Sequence, residues 1–278
     1  MRIPAGPFYE KWVEVYWNGS RCGVRVIKNY DGSVDIPCRY ESNIILSGDT
    51  IALKYNGKWG VLDHQNHTLC NHIYERIEKP DYRPRLCMAM KEGKWGLIDN
   101  CGGPVTAFNY DQIKPLTIKT YSRKEYNGSR GYSQRFTVWA LYNAGQVFAY
   151  NDAADMIYPR GFDNIYKLIQ VGKPCLVVEK DLKQGLLGLD GTMITRCEYE
   201  DIQQLQPYID DEKACYSYAI VKKSGKWGVI GEEHQLLLNC EFDKIAAVGQ
   251  AIALKHDNKW GVLSKEVLYQ FENDSRDD

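Results

Sequence analysis

The chain lacks the features that mark several classes of protein. Its 278 residues carry 35 Lys and Arg against 36 Asp and Glu, and this balance gives no general attraction to nucleic acid or acidic membranes. No apolar run approaches the roughly 18 residues that a membrane-spanning helix needs. The opening residues, MRIPAGPFYEKW, lack the apolar core of a secretory signal. We therefore expect a cytoplasmic protein without membrane contact.

Catalytic and redox motifs are also missing. The nine cysteines form no CxxC pair, which favours reduced and mostly buried thiols. The chain contains no GxSxG, no HExxH, no P-loop and no dinucleotide fingerprint. An enzyme with an unrecognised active site in the centre of the fold stays an alternative. The sequence favours a protein without catalytic residues, metal or cofactor.

What the chain does contain is a repeat, and this decides its architecture. Four nearly identical segments begin at Ile51 (IALKYNGKWGVLD), Met88 (MAMKEGKWGLID), Ala219 (AIVKKSGKWGVIG) and Ile252 (IALKHDNKWGVLS). Weaker copies fill the gaps. One glycine marks each of the seven copies, namely Gly23, Gly60, Gly96, Gly145, Gly185, Gly228 and Gly261.

An aromatic residue followed by an acid is the second mark of the repeat. It comes 14 residues after the glycine in four copies, at Tyr74-Glu75, Tyr110-Asp111, Tyr199-Glu200 and Phe242-Asp243. It comes 17 residues after the glycine at Tyr40-Glu41 and Phe162-Asp163, and 10 residues after it at Phe271-Glu272. Two marks in one register indicate a true repeat.

Each copy is predicted to form three short antiparallel strands. An apolar run is followed by a polar pair such as Asn56-Gly57, and Asn-Gly between apolar residues is the strongest short signal for a hairpin. The KWGVL stretch is the second strand. The aromatic-acid pair is expected to open the third strand, as in Tyr74-Glu75-Arg76-Ile77.

Seven such units, starting near residues 13, 51, 87, 136, 175, 219 and 251, predict a single all-β domain over residues 1–278. Because a ring of sheets protects exposed strands, we expect a β-propeller-like ring of about seven three-stranded blades. The alternative is an open β-solenoid of the same units. Residues 1–12 carry a spare pair, Tyr9-Glu10, and are expected to complete the last blade.

The repeated GKWGVLD, GKWGLID and GKWGVIG, each followed by an aromatic-acid pair, resemble the WG (KWG) repeat family, which is mostly bacterial. The signature residues are Trp59, Gly60, Trp95, Gly96, Trp227, Gly228, Trp260 and Gly261. In the other copies Cys22, Ala144 and Gln184 replace the tryptophan. The resemblance implies a repetitive β architecture with a binding or scaffolding role, and it supplies no catalytic residues.

The longest insertion, residues 117–135, is the best candidate for a binding site. Its sequence, TIKTYSRKEYNGSRGYSQR, interleaves basic residues with tyrosines, which suits contact with phosphates, bases or peptides. A second basic turn covers residues 79–85. The candidate partner-binding residues are Lys119, Tyr121, Arg123, Lys124, Tyr126, Arg130, Tyr132, Arg135, Arg83 and Arg85.

Other residues have a structural and a functional interpretation. The tryptophans recur with the glycines, which favours packing between sheets over platforms for sugars or bases. Solvated lysines are favoured over a basic rim at Lys58, Lys94, Lys226 and Lys259. A metal site at His64, His67, Cys70 and His72 is disfavoured, because their spacing fits no closed zinc motif.

The sequence therefore predicts a non-catalytic protein-interaction or scaffold module. It is expected to bind a protein partner through loops on one face and to be monomeric alone. The alternative is a nucleic-acid or carbohydrate-binding propeller that uses the basic and aromatic loops.

Overall fold

The structure is a computed structural model in which all 27 regular elements of the described residues are β-strands. The described residues are 2–4, 11–28, 34–47, 49–63, 65–80, 85–121, 133–152, 156–158, 161–205, 208–209, 215–216, 218–249, 251–264 and 267–268. Within them, no helix has the length and apolar character needed to cross a membrane.

The strands form seven antiparallel sheets of three or four strands, numbered here as blades in chain order. Blade 1 holds β1 (Arg2–Pro4), β2 (Lys11–Asn18), β3 (Arg21–Lys28) and β4 (Val34–Tyr40). Blade 2 holds β5 (Ser42–Ile45), β6 (Thr50–Tyr55), β7 (Lys58–Asp63) and β8 (Thr68–Tyr74). Blade 3 holds β9 (Arg76–Glu78), β10 (Leu86–Lys91) and β11 (Lys94–Asp99). Blade 4 holds β12 (Gln112–Tyr121), β13 (Ser133–Asn143), β14 (Gln146–Asn151) and β15 (Met156–Ile157).

The remaining three blades complete the described sheets. Blade 5 holds β16 (Asn164–Val171), β17 (Lys173–Lys180) and β18 (Lys183–Gly188). A small two-stranded sheet, β20 (Tyr208–Ile209) and β21 (Cys215–Tyr216), interrupts blade 6 after β19 (Asp201–Gln204). Blade 6 continues with β22 (Ala219–Lys223), β23 (Lys226–Ile230) and β24 (Leu236–Phe242). Blade 7 holds β25 (Lys244–Val248), β26 (Ala251–His256) and β27 (Lys259–Ser264).

The chain divides into two compact units. Unit 1 comprises Met1–Ile113 and Leu141–Ala144 and contains blades 1 to 3. Unit 2 comprises Lys114–Ala140 and Gly145–Asp278 and contains blades 5 to 7. The predicted all-β class and the antiparallel, propeller-like blades are confirmed. The single domain and the closure of the ring stay predictions.

A two-residue turn joins the two central strands of the repeats. In blade 2, Tyr55 pairs with Lys58, and the turn residues Asn56 and Gly57 have φ of 49° and 78°. A turn with two consecutive residues at positive φ has a backbone twist that matches the twist of the two strands it joins. The same geometry recurs at Glu92-Gly93, Ala144-Gly145, Asp181-Leu182, Ser224-Gly225 and Asp257-Asn258.

The aromatic-acid pair lies at the boundary between two blades. The third strand of the second copy, β8, is the last strand of blade 2 and ends at Tyr74, and β9 of blade 3 begins at Arg76. Tyr74 lies opposite Trp59, as Phe242 lies opposite Trp227 in blade 6. The expectation that the pair opens the third strand of its own copy is therefore wrong. The aromatic residue closes one blade, and the residues after the acid open the next.

The acid of this pair ties each blade to the following repeat. The backbone N–H of Glu75 donates to the carbonyl of Met90 at 2.8 Å, and its carboxylate accepts from the N–H of Gly93 at 3.0 Å. Both acceptor and donor lie in the hairpin of blade 3. Corresponding backbone bonds join Glu41 to Lys54, Asp111 to Tyr142, Asp163 to Glu179, Glu200 to Lys222 and Asp243 to Lys255. We call the six acids that donate these bonds the latch acids, namely Glu41, Glu75, Asp111, Asp163, Glu200 and Asp243.

The glycine after the tryptophan lies under a bulge of the third strand. A Cβ atom on Gly60 would lie 2.8 Å from the carbonyl oxygen of Cys70 and 3.0 Å from the ring of His72. The pairing of β7 with β8 shifts register between Trp59 and Val61, so extra residues of β8 face this glycine. In blade 2 a side chain at Gly60 would clash, because the backbone of β8 approaches it closely.

The prediction that Gly145 is the repeat glycine of the fourth copy is wrong. Gly145 lies in the hairpin turn, and Val147 takes the tryptophan position opposite Phe162. Phe148 therefore replaces the repeat glycine. Counted from Phe148, Phe162 comes 14 residues later, as in the regular copies. The sequence pattern does not distinguish a glycine of the turn from a glycine of the strand.

Consecutive blades pack through opposite faces. In unit 1, the face of blade 2 that carries Ala52 and Val61 packs on Ile77, Cys87 and Ile98 of blade 3. Its other face packs on blade 1. In unit 2, the same arrangement joins blades 5 and 6 and then blades 6 and 7. Within each unit, we call the face of a blade toward the preceding blade its leading face, and the face toward the following blade its trailing face.

The N-terminal residues differ from their prediction. Arg2–Pro4 pairs with β2 of blade 1, with Arg2 opposite Glu14. The expectation that residues 1–12 complete the last blade is therefore wrong for this strand. The spare pair, Tyr9-Glu10, lies outside the described residues.

Candidate functional site

The longest insertion includes parts of two long strands of blade 4. β12 and β13 have 10 and 11 residues, whereas β14, which follows β13 in the sheet, has six. We call residues 112–143 the arm, of which the structure describes β12 and β13. Lys114, Thr117 and Arg135 are exposed on its strands.

The structure describes part of the predicted partner-binding set. Lys119 and Tyr121 lie in β12, and Arg135 lies in β13. Arg85 is exposed at the bend before β10. The remaining residues of the set lie outside the described ones, namely Arg83, Arg123, Lys124, Tyr126, Arg130 and Tyr132.

The repeat lysines bind the latch acids of their own copy. Lys58 contacts Glu75 at 3.2 Å, Lys94 contacts Asp111 at 2.6 Å, and Lys226 contacts Asp243 at 2.5 Å. Blades 1 and 5 have the equivalent pairs Arg21 with Glu41 and Lys183 with Glu200. A basic rim is therefore largely neutralised. The described residues give Lys259 of blade 7 no such ion pair.

These contacts lower the pKa of three latch acids, Glu75, Asp111 and Asp243. The ammonium groups of Lys94 and Lys226 hold the pKa of Asp111 and Asp243, respectively, below the usual value. For Glu75, the N–H of Gly93 lowers the pKa first and Lys58 second. These three carboxylates stay ionised near neutral pH, and each contacts a hairpin turn and a lysine at once. They join consecutive copies of the repeat.

The four signature tryptophans lie in three kinds of environment. Trp59 is buried between blades 2 and 3. Trp95 and Trp227 are half-buried, each beside a basic side chain, Arg76 at 5.4 Å and Lys222 at 5.8 Å from the ring centre. Trp260 is 56% exposed.

The described histidines and the cysteine of the histidine-rich segment in blade 2 contact neighbouring residues of the chain. His67 Nδ1 lies 3.0 Å from a carboxylate oxygen of Asp63, and Cys70 packs against Gly102. His72 stacks on Tyr40 with ring centres 5.9 Å apart. No metal-binding group of three or more His, Cys, Asp or Glu occurs in the described part of the chain. His64 lies outside it.

One cluster in unit 1 was not predicted. The guanidinium of Arg39 lies 5.3 Å from the ring centre of Tyr40 and 5.8 Å from that of Tyr55, and His72 completes the stack. Burial, and then the charge of Arg39, lower the pKa of His72. These residues come from three strands of two blades, so no spacing in the sequence connects them.

Comparisons with known proteins add little to this description. No protein-family profile and no curated protein matches the chain. The extracellular domain of a putative one-component system from B. thetaiotaomicron is 8% identical over 91% of this chain and 40% of that chain, with a TM-score of 0.26. The AfRom2 CNH domain is 9% identical over 82% of each chain, with a TM-score of 0.26. The chain spans about two fifths of the length of the first structure.

Proposed function

We propose that the chain is a non-catalytic protein-interaction module of the WG-repeat type, acting in the cytoplasm, and that the blade-4 arm binds its partner. One observation carries the proposal: the arm is the place where the repeat is interrupted by two long strands, of 10 and 11 residues. In blades 1, 2, 3, 5 and 6, the recurring basic residue is paired with a latch acid. Segments carried on rigid scaffolds are where binding residues concentrate.

The strands of the arm suit a protein partner. Residues that lie in paired strands are already ordered, so their binding to a partner costs little conformational entropy. The exposed Lys114 and Arg135, with the basic residues between the strands, favour an acidic partner surface. The interleaved tyrosines supply contact area of the kind that interfaces use.

Shortening the arm tests the proposal directly. Residues 122–132 are replaced by Asn-Gly, which closes the hairpin while keeping β12 and β13. Partners captured by the tagged full chain in its own host are compared by quantitative mass spectrometry. We expect the specific partner to be lost while the melting temperature changes little. Retention of the partner would contradict the proposal.

A charge variant distinguishes the kind of partner. Arg135→Glu is compared with Lys244→Glu, which changes an exposed lysine on blade 7. We expect only the first to weaken capture. The salt dependence separates the alternative, because binding to nucleic acid falls steeply with salt whereas a protein interface changes less.

A further inference from the structure

Blade 7 contains a copy of blade 2 in a different environment. The central hairpins read IALKYNGKWGVLD in blade 2 and IALKHDNKWGVLS in blade 7, so the strand sequence KWGVL is identical in β7 and β27. Their pairings are also equivalent, since Leu53 lies opposite Gly60 and Leu254 lies opposite Gly261. The KWGVL residues of β7 and β27 therefore have equivalent positions in their hairpins.

The two copies differ in burial. Val61 is fully buried, whereas Val262 is 75% exposed. Trp59 is 9% exposed, and Trp260 is 56% exposed. In blade 2 these residues are covered by β8 and blade 3. In the described residues nothing equivalent covers the trailing face of blade 7.

The outer edge of β27 is open as well. β8 pairs with β7, but within the described ranges β27 is the last strand of its sheet. A Cβ atom on Gly261 meets no atom of the described chain within 4 Å, whereas the Gly60 position is closed by the backbone of β8. An open strand edge offers backbone groups for pairing with another chain.

The other blades define the strand that would fit this edge. In blade 3, the N–H of Trp95 donates to the carbonyl of Tyr110 at 2.8 Å, and the N–H of Tyr110 donates back at 3.2 Å. The acid that follows, Asp111, contacts Lys94 at 2.6 Å. In an antiparallel strand with an aromatic residue followed by an acid, the aromatic residue hydrogen-bonds the backbone of the tryptophan, and the acid forms an ion pair with the lysine. On β27 these groups are Trp260 and Lys259.

The chain after β27 turns to the other face. Leu268 is fully buried in the cluster of Ile245 and Ile252, on the leading face of blade 7. The next aromatic-acid pair, Phe271-Glu272, comes 10 residues after Gly261 rather than 14, and it lies outside the described residues. The connection is four residues shorter than the one that delivers a regular third strand.

We propose that the edge of β27 is a docking site for an extended strand of a partner protein that carries an aromatic-acid pair. The strand adds antiparallel to β27, its aromatic residue lies opposite Trp260, and its carboxylate binds Lys259. This site is separate from the arm of blade 4, so each proposal can fail without the other.

A peptide taken from blade 2 serves as the probe. The labelled peptide of residues 66–76, NHTLCNHIYER with Cys70→Ser, carries the β8 register. It is titrated into the full chain and followed by fluorescence anisotropy. We expect saturable binding that is lost when the peptide carries Tyr74→Ser and Glu75→Lys. Absence of binding to the full chain would overturn the proposal.

A charge exchange locates the site. Lys259→Glu in the protein is expected to weaken the affinity for the peptide by about fivefold. Glu75→Lys in the peptide is expected to restore the affinity for this variant. The matched control is Lys58→Glu, which changes a lysine already paired with Glu75 in the folded chain. Equal weakening by both protein variants would overturn the proposal, because the peptide would then compete with β8.

The remaining outcomes identify other occupants of the edge. The peptide is also titrated into chains that lack residues 269–278 or residues 1–10. Binding only after one of these deletions would assign the edge to the chain's own segment and overturn a partner strand. A dimer in sedimentation that Val262→Glu dissociates would assign it to a second copy, with the same consequence. Equal binding to all chains, each monomeric, supports the proposal.

Discussion

β7 and β27 have the same KWGVL sequence and differ in what lies against them. Around Val61, a third strand and a following blade remove the side chain from water, whereas Val262 has neither among the described residues. Apolar stabilisation comes from the surface removed from water, so identical residues contribute unequal free energies. A strand of this repeat is stabilised mainly by its neighbours.

The largest difference is expected from a charge on the trailing face. Val61→Asp buries a carboxylate without a partner and should cost about 4 kcal/mol of unfolding free energy. Val262→Asp places the same group in water and should change stability by less than about 0.5 kcal/mol. Denaturation by urea measures both. Equal costs would mean that Val262 is covered in solution.

The repeat glycine should give the next largest difference. Gly60→Ala forces a methyl group against the backbone of β8 and should cost about 2 kcal/mol. At Gly261 the space is open, so Gly261→Ala should be neutral or stabilise the chain by up to about 1 kcal/mol, by restricting the unfolded chain. Thermal denaturation compares the pair. A loss at Gly261 would place another strand at that edge.

A smaller effect is expected at the hairpin turns. Asn258 has φ of 64° where Gly57 has φ of 78°. Because glycine adopts this region without strain, Asn258→Gly should stabilise blade 7 and Gly57→Asn should destabilise blade 2, each by about 0.5 kcal/mol. Hydrogen exchange of the two hairpins reads the effects separately. Changes of the opposite sign would show that the turns are not equivalent.

The smallest effect concerns pH. The pKa of Glu75 is lowered in the folded chain, first by the N–H of Gly93 and then by Lys58. Its contribution to stability is therefore complete above the unfolded value of about 4.3 and is lost as the pH falls through the folded value. Lys58→Gln should weaken this acid dependence, and Lys259→Gln should leave it unchanged. Melting temperatures between pH 3 and 7 would reveal the contrast.

The sequence predicted the strand content well, because alternating apolar residues around Asn-Gly report local geometry. It misplaced the aromatic-acid pair. Spacing shows that Tyr74 and Glu75 belong to the repeat, but only the ladder shows that one closes a blade and the other binds the next. The prediction of the glycine in the fourth copy is wrong for a related reason. Gly145 and Gly60 are the same residue type, but only Gly145 has a positive φ.

The candidate sites were less predictable than the fold. Composition identified the insertion of blade 4, because basic and aromatic residues break a regular repeat there. The open edge of β27 carried no such signal, since its residues match those of a buried strand. The stack of Arg39, Tyr40, Tyr55 and His72 assembles across two blades, and side chains from different strands meet only after folding.

The amino-acid sequence by itself determined the repeating unit, with its short strands and its two-residue turns. These depend on backbone geometry and on contacts within about one repeat length, which the order of residues specifies. The tertiary structure decided which copies are covered and which remain open. Burial depends on surfaces brought together from distant parts of the chain, and no single copy contains that information.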